Sequence, residues 1–163
     1  MVTATNISTQ SICKILEQVT DPEVPVLTIM DLGIVRDVKL NGDEVEVIIT
    51  PTYSGCPAVD MIAMNIKLTL IENGYRNIKI TSVLSPAWTT DWMSEDGKRK
   101  LKEYGIAPPH SITRSDESSD RVIECPQCNS TNTKLISEFG STACKALYQC
   151  NDCKEPFDYF KCH

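Results

Sequence analysis

The apolar positions change period several times along the chain, and each change marks an element. Ile12, Ile15, Leu16 and Val19 fall on one face at helical spacing, which predicts a first helix over residues 8–19 with Ser8 or Thr9 as its cap. Cys13 lies within that helix and is read as packing. In Asp21-Pro22-Glu23-Val24-Pro25 two prolines forbid helix and favour an extended, ordered loop carrying two carboxylates. A strand is expected from Val35 to about Leu40. Glu44 to Ile49 then alternates acidic and apolar residues, the period of a half-buried strand, and Asn41-Gly42 between the two is a strong hairpin signal. These two strands must pair antiparallel.

Pro51 cannot donate to a continuing ladder, so the second strand ends there. In Ser54-Gly55-Cys56-Pro57, Gly55 supplies a sharp turn and Pro57 suits a first helical position. Val59, Ile62, Ile66 and Leu70 then recur at helical spacing until Asn73-Gly74 ends the helix. Cys56 is expected as the helix cap, where free amides and the positive end of the helix dipole favour negative charge. A cysteine so placed suits a nucleophile or a soft metal ligand; the bland alternative is a small side chain that fits the turn. Residues 77–84 alternate as a third strand. The expected fold class is α+β, a small three-stranded mixed sheet in the order α-β-β-α-β covered by helices, with the Asp21 and Cys56 loops at one edge.

Beyond this sheet, Trp88 and Trp92 lie close together in Ser85-Pro86-Ala87-Trp88-Thr89-Thr90-Asp91-Trp92, either capping the core or forming a partner surface. A short helix is expected from Ser94, with Glu95 and Asp96 early and Lys98, Arg99, Lys100 and Lys102 later, an order that suits the helix dipole. The Pro- and Ser-rich residues 108–122 have linker composition, and His110 within them is given no role. The expected domains are 1–107, a linker 108–122, and a small module 123–163.

Six of the eight cysteines lie in that last module. Cys125-Pro126-Gln127-Cys128 and Cys150-Asn151-Asp152-Cys153 are two Cys-x-x-Cys pairs separated by 21 residues, a spacing that brings four thiolates around one ion. With short strands expected near 134–139, 146–149 and 157–160, the module is read as a zinc ribbon. Zinc is the first choice; iron, held by the same ligand spacing, is the alternative. Cys144, in Gly140-Ser141-Thr142-Ala143-Cys144-Lys145, is an additional thiol, more readily a buried structural cysteine than a reactive one. Cys162 and His163 are left without a role.

Length and charge narrow the function. A chain of 163 residues holds one ordinary domain and a small appendage, and 41% apolar content suffices for a core. The sequence has no membrane-spanning apolar run, and its first residues lack basic and hydrophobic segments, so a cytoplasmic protein without membrane contact is expected. A formal net charge of -6, with neither part basic, argues against nucleic acid as a partner and favours a ribbon that docks protein.

Asp21-Pro22-Glu23-Val24-Pro25, Asp31-Leu32-Gly33-Ile34-Val35 and Gly55-Cys56-Pro57, in this order, resemble the SufT-like iron–sulfur assembly domain. With the Trp88–Trp92 segment, Gly105-Ile106-Ala107-Pro108-Pro109 and the terminal ribbon added, nearly the whole chain resembles the D-subunit family of ring-1,2-phenylacetyl-CoA epoxidase complexes. The resemblance implies a non-catalytic accessory protein of aerobic phenylacetate breakdown, maturing or delivering an iron or iron–sulfur centre to the di-iron oxygenase or the reductase of the complex. It makes Cys56 the transient ligand or sulfur acceptor, with Asp21 and Glu23 as neighbouring metal-contacting groups and Trp88 and Trp92 as the partner surface. The sequence agrees in lacking a Glu-x-x-His pair for two irons and a glycine-rich dinucleotide loop. The alternatives are a stoichiometric structural subunit in which Cys56 merely packs, and a thiol enzyme using Cys56 or Cys144, for which neither histidine is placed as a base. A homodimer is left open.

Overall fold

The structure is a computed structural model that describes residues 8–109 and 122–161. His110, Cys162, His163 and nearly all of the expected linker lie outside the described residues. Two compact units divide the chain between Trp88 and Thr89.

The first unit begins with α1 (Thr9–Leu16), capped by Ser8, whose hydroxyl accepts from the Ser11 amide at 3.2 Å. Its Ile12 and Leu16 are buried, as their spacing predicts. The hairpin of β1 (Val35–Asn41) and β2 (Glu44–Ile49) turns through Gly42 and Asp43, with Gly42 at a φ of +67° that favours glycine. β2 then feeds α2 (Ala58–Glu72), which returns the chain to β3 (Asn77–Ser82). The sheet order is β1-β2-β3, antiparallel between β1 and β2 and parallel between β2 and β3, so the sheet is mixed as expected. Val45, Val47 and Ile49 of β2 and Ile62, Ile66 and Leu70 of α2 are all buried in the aliphatic core of this unit.

Two expectations fail here. Cys56 is not the helix cap: that position falls to Pro57, which has no side chain to cap with, and Cys56 stands one residue ahead. Its carbonyl still accepts from the Val59 amide at 3.2 Å, so it closes the tight turn from which α2 starts. Trp88 is not a partner surface. It is only 3% exposed, and its indole N–H donates to the Leu32 carbonyl at 2.8 Å, so it caps the core of the first unit. Trp92 is half-buried in the second unit, where it is the last residue of a single 3-10 turn at Thr90–Trp92.

The second unit holds α3 (Glu95–Glu103), capped by Ser94, and a four-stranded sheet. Its strands are β4 (Ile106–Ala107), β5 (Thr133–Ser137), β6 (Lys145–Cys150) and β7 (Pro156–Phe160), in the order β4-β7-β6-β5. β5, β6 and β7 form an antiparallel meander, the expected ribbon, while β4 adds parallel to β7. The boundary expected at residue 107 therefore does not separate the units. The stretch that carries α3 and β4 belongs with the ribbon, because β4 is an edge strand of the ribbon sheet. The charges of α3 form a solvated face, with Arg99 bridging Asp96 and Glu103 on the surface.

Candidate functional site

In the ribbon, each knuckle is a turn at the mouth of a strand pair. The Cys125 amide donates to Ser130 O and the Cys150 amide to Glu155 O, closing each Cys-x-x-Cys turn on itself. Asp152 ties them together: its carboxylate accepts from Ser130 Oγ, and from Asn132 Nδ2 at 2.9 Å. The four sulfurs of Cys125, Cys128, Cys150 and Cys153 lie within 4.8 Å of one another. Cys125 and Cys153 are 3.8 Å apart and Cys128 and Cys150 3.6 Å. A tetrahedron with metal–sulfur bonds of about 2.3 Å has sulfur–sulfur edges of about 3.8 Å, close to these two separations, so the donor set suits a zinc-type ion. All four predicted ligands are brought together. Cys125 and Cys150 are buried on the sheet side and the other two face outward.

The environment of the thiols is uneven. Amides of Cys153 and Asp152 point at the Cys150 sulfur and lower its pKa to about 7 despite burial. At Cys153 the Glu155 amide works in the same direction, but desolvation and the neighbouring sulfurs outweigh it and push the thiol up to about 12. Four like groups so close cannot all ionise without a cation, which is what such a site recruits. Cys144 is not among the ligands. It is buried beside Thr142, whose hydroxyl lies 3.1 Å from its sulfur, in keeping with a structural cysteine.

In the first unit, the strand register gathers the motifs at one end of the sheet. Val35 pairs with Ile49, and the Thr50 amide donates to Ile34 O at 2.9 Å, so the loop before β1 and the loop after β2 leave from the same end. β3 finishes there too, its Ser82 opposite Ile49, before the chain runs on to Trp88. Gly55 has a φ of +78°, and Cys56, 7% exposed, follows it at the base of α2.

The carboxylates nearby are committed elsewhere. Asp21 Oδ1 accepts from the amides of both Glu23 and Val24 at 2.8 Å, and the Asp21 amide donates to Leu27 O, which closes the proline loop on itself. Asp31 and Thr28 exchange side-chain to amide hydrogen bonds of 3.1 and 3.0 Å in the same way. Asp21, Glu23 and Cys56 do not form a ready group of three metal ligands; among the described residues only the ribbon cysteines do. Two of the three motifs thus shape their own loops. One further feature is missed by the sequence reading: Met61, Met64, Leu68 and Ile71 stand exposed along α2. Their spacing alone reveals it, but the buried face at Ile62, Ile66 and Leu70 is enough to account for the helix.

A helix-covered mixed sheet with one thiol at its loop end, joined to a four-thiolate ribbon, defines a two-module α+β protein with a metal-binding ribbon. Residues 9–72 match the family described as "Iron-sulfur cluster assembly protein", and residues 109–161 the one described as "PaaD zinc beta ribbon domain". A protein of Escherichia coli, named as the putative D subunit of a 1,2-phenylacetyl-CoA epoxidase, is 51% identical over 148 residues, covering 91% of this chain and 89% of its own length. The chain belongs to this family of epoxidase D subunits. A shorter relative from Porphyromonas gingivalis, an "Fe-S protein maturation auxiliary factor", is 34% identical over 56% of this chain and 89% of its own. The crystal structure of a DUF59 domain from Bacillus anthracis superposes with a TM-score of 0.54 at 30% identity, covering 56% of this chain and 89% of that one.

Proposed function

We propose that this chain is a non-catalytic accessory component of a phenylacetyl-CoA epoxidase that matures or delivers an iron or iron–sulfur centre, with Cys56 as the residue that handles the cargo. The feature that supports this reading is that the loop before β1, which carries Asp31, and the loop after β2, which leads to Cys56, leave the sheet from the same end. A rigid frame built around one thiol suits a transient ligand. One sulfur supplies one bond, so the remaining ligands of any iron or cluster come from the client, and release needs no more than exchange of that bond. Residues 9–72, within the first unit, are the ones that match the family described as "Iron-sulfur cluster assembly protein", which supports placing the transfer there.

The ribbon serves as the docking module, with zinc as its structural ion. With no Glu-x-x-His pair in the chain, the oxygen chemistry belongs to the partner, and oxygenase and reductase are both candidate clients. The near-complete burial of Cys56 favours one second reading, a stoichiometric structural subunit in which that thiol only packs.

The test is iron per oxygenase and per reductase chain, purified without air from cells carrying the intact protein or Cys56→Ala, alongside epoxidation. Iron and activity are expected to fall together. If activity falls while both partners keep their iron, the reading as a structural component holds; if neither changes, Cys56 is a packing residue.

A further inference from the structure

The two knuckles of the ribbon are joined by more than the ion they are built to surround. Ser130 Oγ donates to Asp152 Oδ2, and Asn132 Nδ2 donates to Asp152 Oδ1 at 2.9 Å. Asn151 answers from the other side, its Nδ2 donating to Asn132 Oδ1 at 2.9 Å and its amide to Asn132 O at 2.8 Å. The Asn132 amide donates in turn to Ser130 Oγ at 3.0 Å, so the network closes on itself. Residues 130–132 follow the first Cys-x-x-Cys pair, and 151–152 lie inside the second. None of these bonds uses a sulfur, so this clasp leaves every ligand to the ion.

The clasp is nevertheless tied to the ligand set. The Ser130 amide points at the Cys128 sulfur and the Asp152 amide at the Cys150 sulfur, and these two sulfurs are 3.6 Å apart. The residues whose side chains bond across the gap are therefore the ones whose amides hold a facing pair of ligands. Cys128 and Cys153 are exposed while Cys125 and Cys150 are buried, so a competing ligand approaches from the outward side. Release requires the sulfurs to detach one after another. While the knuckles stay together, a detached sulfur remains within reach at high effective concentration and rebinds; with the knuckles parted, it is lost.

We propose that Asp152, acting through Ser130 and Asn132, is a positioning residue that locks the resident ion in the ribbon by slowing its release. A buried cluster that counts Cys125 and Cys150 among its members does not form before those sulfurs are bridged, so the clasp closes after capture and acts on release, not on uptake. The lock does not depend on what Cys56 carries. Hydrogen bonds to a charged group are the stronger kind, but Asp152 and Asn132 are exposed, so the expected effect is about tenfold.

Zinc release from the full chain into excess EDTA, beside zinc uptake by the metal-free chain, tests this. Asp152→Ala and Ser130→Ala are each expected to release zinc about tenfold faster than the unchanged chain, with uptake altered less than about twofold. Because both cut the same network, the double variant exceeds Asp152→Ala by less than about twofold. Asp152→Asn still accepts from Asn132 and offers Ser130 a donor, and it restores slow release. Cobalt-loaded chains report the ligand geometry, and a tetrahedral four-thiolate spectrum common to all variants is expected. Release unchanged in both single variants overturns the proposal, as does an effect on uptake in place of release, or effects that multiply in the double variant. Asp152→Asn as fast as Asp152→Ala overturns it too, since the negative charge and not the clasp then holds the ion. If Asp152→Ala lacks the tetrahedral spectrum, the two rates of Ser130→Ala decide.

Discussion

The two units solve the same problem by different means. The first closes an aliphatic core from Ile12, Leu16, Ile49, Ile66 and Leu70, all fully buried, between helices and one sheet. The second has a single thin sheet whose buried cluster is Ala107, Ile123, Cys125, Ala146, Cys150, Phe157 and Tyr159, with Tyr148 stacked on Phe157 at 6.0 Å. Two of those seven are metal ligands. A core this small holds up only if the ion counts as part of it, whereas the first unit needs none and is free to keep its one loop thiol for other use.

The sharpest way to break that contrast is to remove the ion. Structural zinc is worth about 10–16 kcal/mol in small finger domains. Cys150→Ser, or a strong chelator, is therefore expected to unfold the ribbon outright while the first unit keeps its structure. Amide hydrogen exchange read separately on 8–88 and 122–161 checks this; loss of protection in both would show one cooperative system. Lowering the pH acts in the same direction, since thiolates must be kept from protons to hold the ion.

The reverse perturbation is smaller. Leu70→Ala leaves a cavity under α2 and should cost the first unit about 2–5 kcal/mol in denaturant unfolding while zinc content stays unchanged. Trp88, buried in that unit, gives the fluorescence signal.

The smallest effect sharpens the picture of the first sheet. Glu46 on β2 accepts from Thr81 Oγ1 at 2.7 Å and pairs with Lys79 at 3.1 Å on β3, and these contacts hold its pKa below the usual carboxylate range. A depressed folded pKa means stability that is present above the ordinary carboxylate value and lost as pH falls through the folded one. Glu46→Gln should thus lower the first unit's unfolding midpoint slightly at neutral pH and leave it nearly unchanged below the carboxylate range, which flattens the acid limb.

What the sequence disclosed was whatever is local. The hairpin turn at Gly42, the glycine-proline bracket around Cys56 and the two Cys-x-x-Cys pairs each place their residues by spacing of a few positions. What it hid depends on distant partners. Trp88 offers no sign of its burial until Leu32, 56 positions earlier, supplies a carbonyl for its indole. β4 has two residues, too few to show any period, and becomes a strand only because β7 is beside it. At α2 the reason is different: two apolar faces on one helix blur each other's periodicity, so recognising the inner one conceals the outer.

The pairing of β4 with β7 also sets an order of events. β4 leaves the ribosome about fifty residues before its partner strand, so that edge cannot close until the last part of the chain has been made. All four ligand cysteines precede β7, however, and are available to an ion before it. Metal capture can therefore come first during synthesis, with the final strand arriving to seal a knuckle already tied.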